Sequence, residues 1–222
     1  MKNVITLTII CIIMQSCNSP KKDLAKITFT EKYDTFFGEI PNKFSLSVEG
    51  KTYNGYYESE SDDILYFNDC NLNDYKDGFG TNYVSFAFTK KDHVLCEYIV
   101  HLKTKKSIQN LISALNSKFG KAKYVNKLDL LDDLPNAYAW KNKEIIYLLA
   151  GATQNSAWLT VFNSNHKELY DNAFSGSFMY YYDYLEYLKK NQKTDKQISY
   201  YQYAKILEKE GENYKIDNYV KP

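Results

Sequence analysis

Residues 83–120 read YVSFAFTKKDHVLCEYIVHLKTKKSIQNLISALNSKFG, and this stretch decides the fold. Val84, Phe86 and Phe88 alternate with smaller residues, Lys90-Lys91-Asp92 turns, and Val94, Cys96, Tyr98, Val100 and Leu102 alternate again. A period of two puts each set on one face of a strand. The stretch therefore predicts a long antiparallel hairpin with one buried face. Beyond Leu102 the period changes. Ile108, Leu111, Ile112, Leu115 and Phe119 recur every three or four residues, the spacing of one helical face. Thr104 stands where an N-cap belongs and Gly120 where a left-handed stop belongs. One amphipathic helix over about 104–119, packed across the hairpin, is expected.

Toward the N-terminus, Ile27 and Phe29 alternate and Tyr33, Phe36 and Phe37 follow, which predicts a strand and a short helical piece. Phe44, Leu46 and Val48 alternate up to Gly50-Lys51, and Tyr53 and Tyr57 continue the pattern as a second hairpin. Ile64–Cys70 reads as another strand, followed by the polar loop Asn71–Asn82. Toward the C-terminus, Ala122–Asn126, Tyr138–Lys141, Glu144–Leu149 and Ala157–Phe162 read as strands, with Asn142-Lys143 as a turn. The fold class is α+β: a twisted antiparallel sheet with the 104–119 helix on one face. After Asn163 the character shifts, and residues 170–222 hold eleven of the 22 tyrosines. Phe178–Lys190 and Gln197–Glu210 predict two helices, the second capped by Thr194 or Asp195 and ended by Gly211.

The first seventeen residues, MKNVITLTIICIIMQSC, combine a basic Lys2 with an uncharged run over Val4–Met14. That run is too short to cross a bilayer, which takes roughly 20 apolar residues, but it has the length of a signal h-region. Ser16 and Cys17 close it, and Met14 and Gln15 depart from the usual Leu and Ala or Ser of a lipobox. This segment resembles a bacterial lipoprotein precursor. The resemblance implies cleavage between Ser16 and Cys17, acylation of Cys17 and anchoring in the membrane through that lipid. Within that resemblance Asn18, in place of the aspartate of an inner-membrane retention signal, implies the outer membrane, where the periplasmic face is expected over the cell surface. The expected organisation is signal peptide 1–16, tether 17–23, sheet domain 24–163, and a helical extension 164–222 packed on the same domain.

Net charge is +1, so nothing marks the chain for nucleic acid. All 28 basic residues are lysine, and the bidentate fork suited to phosphate is missing. Cys70 and Cys96 would close a loop of about 25 residues if bridged, contributing about 3 kcal/mol. The alternative is two buried thiols. Asp69, Asp74 and Asp77 lie close together but lack the acid ladder and closing Glu of a calcium loop. His93, Glu97 and His101 share a parity that would face solvent, yet the two histidines would stand about 26 Å apart along a strand, too far for one metal ion. Asp62-Asp63 and Asp132-Asp133 are adjacent acids without a partner base. No catalytic or cofactor motif is present, so the chain reads as a non-enzyme. Tyr180, Tyr184 and Tyr187 fall on one helical face, and with Trp140 and Trp158 they are candidates for a binding surface. The leading expectation is a lipid-anchored module for a protein partner. A glycan or small ligand is the alternative, and a hydrolase with an unrecognised site the remote one.

Overall fold

The computed structural model describes residues 21–46, 50–73, 80–127, 135–152, 155–191 and 198–222. Among these residues ten strands run in chain order: β1 Lys43–Ser45, β2 Tyr56–Ser59, β3 Tyr66–Phe67, β4 Cys70–Asn71, β5 Tyr83–Phe88, β6 Leu95–Leu102, β7 Tyr124–Asn126, β8 Ala137–Asn142, β9 Ile145–Ala150 and β10 Ala157–Asn163. The helices are α1 Tyr33–Phe36, α2 Lys105–Phe119, α3 Lys167–Ala173, α4 Met179–Lys190, α5 Tyr200–Glu208 and α6 Tyr214–Asp217. Eight strands form one antiparallel sheet in the order β1-β2-β5-β6-β10-β9-β8-β7, and β3 and β4 form a separate ribbon.

The α2 crossover sets this order. Its 15 residues extend about 22 Å at 1.5 Å per residue. That length carries the chain over roughly four inter-strand spacings of about 4.8 Å, from β6 to the far edge strand β7. The chain then meanders back through β8 and β9, and β10 closes against β6. The Thr104 hydroxyl accepts from Ser107 N–H, and Gly120 ends the helix at φ +77°. Ile108, Leu111 and Leu115 are buried beneath it, and the Trp140 indole N–H donates to Asn116 Oδ1 and the Gly120 carbonyl.

The β5–β6 hairpin forms where expected, but its side-chain parity switches. Phe86 faces Tyr98 and Ala87 faces Glu97, whereas Phe88 faces Leu95. Cys96 is therefore an extra residue, so Cys96 and Glu97 together oppose Ala87 in a β-bulge. The bulge carries Leu95 onto the face that holds Phe86, Tyr98 and Val100, and turns Cys96 to the other. Val94 is left half-buried.

Both faces of the sheet are covered, not one. The first face packs α2, α1, the 3₁₀ turn Leu24–Lys26 and the β3–β4 ribbon. The second face packs α3, α4 and α5 over Ala87, Ala137, Ala139, Leu148 and Phe162. Tyr124, Tyr181, Tyr184, Tyr200 and Tyr203 form this second core, with Tyr124 at 5.2 Å from Tyr181 and 4.8 Å from Tyr200. Their hydroxyls reach backbone carbonyls at its rim: Tyr124 donates to Ser177 and Tyr184 to Ile198. Tyrosine suits a core that is apolar in its body and polar at its margin.

Four local expectations change. The strand expected at Ile27 and Phe29 does not form, because the chain leaves the Leu24–Lys26 turn there and Phe29 takes φ +64°. Ile64–Cys70 is not one strand, because Asn68 and Asp69 both adopt positive φ and fold it into the β3–β4 ribbon. Helix α5 is capped by Ser199, in a capping box with Gln202; Thr194 and Asp195 lie outside the described residues. The tether does not run to residue 23. Asp23 is buried and accepts from Ala25 and Asn68 N–H, and Lys22 N–H donates to the Asp63 carbonyl.

Candidate functional site

The expected site residues separate sharply. Ser16 and Cys17 lie outside the described residues, as do Asp74, Asp77 and the Asp132-Asp133 pair. Trp140 is 1% exposed and Tyr184 8%, so neither belongs to a binding surface; both are core under α2 and α5 respectively. Tyr180 and Tyr187 are half-buried against Tyr214 and Tyr203. Trp158 alone of the five is well exposed, at 45%. Cys70 and Cys96 are not joined, because the bulge sends Cys96 into the second-face core while Cys70 packs at the margin of the first. Asp69 sits at the tip of the ribbon, and among the described residues no three His, Cys, Asp or Glu side chains converge on a metal site. Among the described residues, too, no helix is long and apolar enough to cross a membrane.

The expected solvent row of His93, Glu97 and His101 is broken up. His93 sits in the β5–β6 turn at φ +52° and is exposed. Glu97 is 6% exposed, because Phe162 pairs beside it and the C-terminal helices cover that part of the second face. Tyr56 Oη donates to Glu97 Oε2 at 2.6 Å, and the Tyr53 and Tyr56 hydroxyls lie 2.9 Å apart. Burial pushes the Glu97 carboxyl up to about 7, against the Tyr56 hydrogen bond that holds it down. Burial also pushes the neighbouring Cys96 thiol up to about 12, helped by the charge of Glu97.

His101 lies further along the same face. In register across β5, β6 and β10, Tyr83, His101 and Trp158 form one row spanning about 10 Å. The Tyr83 and His101 rings stack at 4.1 Å with 9° between planes, and His101 Nε2 lies 3.3 Å from Ser85 Oγ. Burial, with the Lys103 ammonium adding to it, pulls the imidazole down to about 4, so the ring is neutral at neutral pH. Gly151, at φ +73°, lets the indole settle on the backbone; a Cβ there would stand 3.3 Å from the Trp158 ring and 3.0 Å from the Ser156 carbonyl. Beyond Tyr83 the row opens into a groove that includes Pro41, Lys43, Glu58 and Glu60. Burial raises the Tyr83 hydroxyl, and the Glu58 and Glu60 carboxylates raise it further.

This face offers an open indole, a neutral stacked imidazole and phenol, and two carboxylates that accept hydrogen bonds. It suits a flat or ring-shaped ligand carrying hydroxyls. The Ser85–His101 contact does not make a nucleophile: Ser85 is 4% exposed and a base near 4 is too weak to activate it at neutral pH. Sequence reading singled out Trp158 and His101 but missed Tyr83, which only strand register brings beside them. It also missed Tyr53 and Tyr56 as partners of Glu97. No family model, curated protein or solved structure matches the chain.

Proposed function

We propose that this chain is a lipid-anchored envelope protein, held in the bacterial outer membrane by acyl chains on Cys17, that binds a glycan on the Tyr83–His101–Trp158 row without turning it over. The observation that carries the reading is Trp158. The residue is 45% exposed beside a stacked aromatic pair, while the other tryptophan is buried and hydrogen-bonded. Of the tyrosines expected on a binding surface, Tyr184 is buried and Tyr180 and Tyr187 are half-buried, which leaves less aromatic area open to a protein partner. Calorimetric titration with envelope-type oligosaccharides should show binding to the wild type, and Trp158→Ala should abolish that response while leaving the fold intact. A wild-type response that survives in Trp158→Ala refutes the site.

A second reading rests on the sheet edges. The chain's own C-terminus closes the β7 edge, where Val220 N–H donates to the Val125 carbonyl. Among the described residues nothing pairs with the outer side of the opposite edge strand, β1, where Phe44 is 44% exposed and Leu46, just past the strand, 68%. An open edge with apolar side chains suits a partner's added strand. A protein that co-purifies with the wild type and is lost on Phe44→Lys, but not on Trp158→Ala, would favour this reading. For the anchor, Cys17→Ala should abolish lipid labelling and membrane retention; a variant that still partitions with membranes removes it.

A further inference from the structure

The segment that follows the anchor residue is tied to the fold almost at once. Lys22 N–H donates to the Asp63 carbonyl, and its ammonium donates to the Phe36 carbonyl. Asp23 is buried, caps the Leu24–Lys26 turn and accepts from Asn68 N–H. The Tyr98 hydroxyl donates to the Leu24 carbonyl within the first-face core. Lys21 lies with its ammonium 5.4 Å from the Tyr66 ring centre. Only residues 17–20 remain between a lipid on Cys17 and this fixed point. From Cys17 to Lys21 a fully extended chain reaches about 14 Å.

We propose that the protein lies flush on the bilayer, with the surface around Lys21, Tyr66 and the Asn68–Asp69 turn against the phospholipid headgroups. The proposal rests on the Cys17 anchor argued above. A 14 Å leash is shorter than the molecule is thick: the second face lies across the sheet from Lys21, roughly two packed layers of about 10 Å each. The domain therefore cannot turn over on its anchor. Tyrosine and lysine are side chains suited to the headgroup region, with an apolar body and a polar tip. Asp63 lies beside Lys22 and Asp69 beside Tyr66, so with Asp62 the carboxylates on this surface outnumber Lys21 and Lys22. The leash, not attraction to anionic lipid, sets the orientation, and it must persist on neutral vesicles and in high salt. It also turns the Trp158 row away from the membrane, toward ligands in solution.

The test uses the acylated protein reconstituted in phosphatidylcholine vesicles that carry a headgroup-level spin label. Cys70→Ser leaves Cys96, whose buried thiol is unreactive, so a fluorophore can be placed singly at Asp62→Cys or at Ile206→Cys on the exposed side of α5. Residue 62 should be quenched several-fold more than residue 206, with or without salt. A flexible Gly-Ser insert of about 20 residues after Pro20, spanning about 25 Å, should erase the difference. Equal quenching at the two positions without the insert, in protein whose N-terminal peptide carries the acyl mass, overturns this orientation and leaves the anchor standing. An N-terminal peptide without that mass removes the anchor, and the orientation with it.

Discussion

Glu97→Gln should change how stability depends on pH, and the size of the change follows from the burial of the carboxyl. The ordinary carboxyl value is 4.5, and in the folded protein Glu97 is pushed up to about 7. Between those values the folded state keeps a proton that the unfolded chain has released. Because the folded state binds more protons there, stability falls as pH rises. At about 1.4 kcal/mol per pH unit, the loss grows to roughly 3 kcal/mol by pH 7 to 8. Below about pH 4.5 both states are protonated and the penalty vanishes. Glutamine does not titrate, and its side-chain oxygen still accepts from Tyr56. The stability of Glu97→Gln relative to wild type should thus climb by roughly 3 kcal/mol from pH 4 to pH 8. Urea denaturation at pH 4, 5, 6, 7 and 8 measures the difference directly. A difference that stays flat across that range refutes the reasoning, since it would mean that Glu97 is ionised normally in the fold. Tyr56→Phe adds a sign: loss of the donor should raise the Glu97 value further, so that the fall in stability still begins near pH 4.5 but continues to higher pH.

The second core and the cysteines give further tests. Tyr181 is 1% exposed, so Tyr181→Ala should cost about 3–5 kcal/mol by urea denaturation. The half-buried Tyr180→Ala should cost well under half of that; equal costs would mean that the tyrosines are not a packed core. Reductant should leave the unfolding midpoint unchanged, because Cys70 and Cys96 pack on opposite faces. A bridge would instead contribute about 3 kcal/mol, and its loss would be plain in the same assay.

The elements that could be read from residues alone are those whose signal is local. Alternation from Val84 to Phe88, the three-and-four spacing from Ile108 to Phe119, and the Thr104 and Gly120 caps all lie within a few residues of the structure they specify. The ribbon at Asn68–Asp69 was harder. Two side chains that tolerate positive φ turned an apparent strand back on itself. Glu97 was misplaced for a longer-range reason. Its exposure depends on a bulge defined by pairing with Ala87 and Phe88, and on helices that return more than sixty residues later.

By itself, then, the chain determined the hairpin, the crossover helix, the meander that follows and the terminal helices, because strand and helix periods and caps act between near neighbours. Tertiary structure alone decided that the tyrosines are core, that Cys70 and Cys96 are kept apart, and that Tyr83, His101 and Trp158 share one row. Those outcomes depend on which strands are neighbours and which face each side chain meets. The β5–β6 register and its bulge place Tyr83, His101 and Cys96, and closure of β10 against β6, a contact that no short stretch of sequence encodes, brings Trp158 beside them.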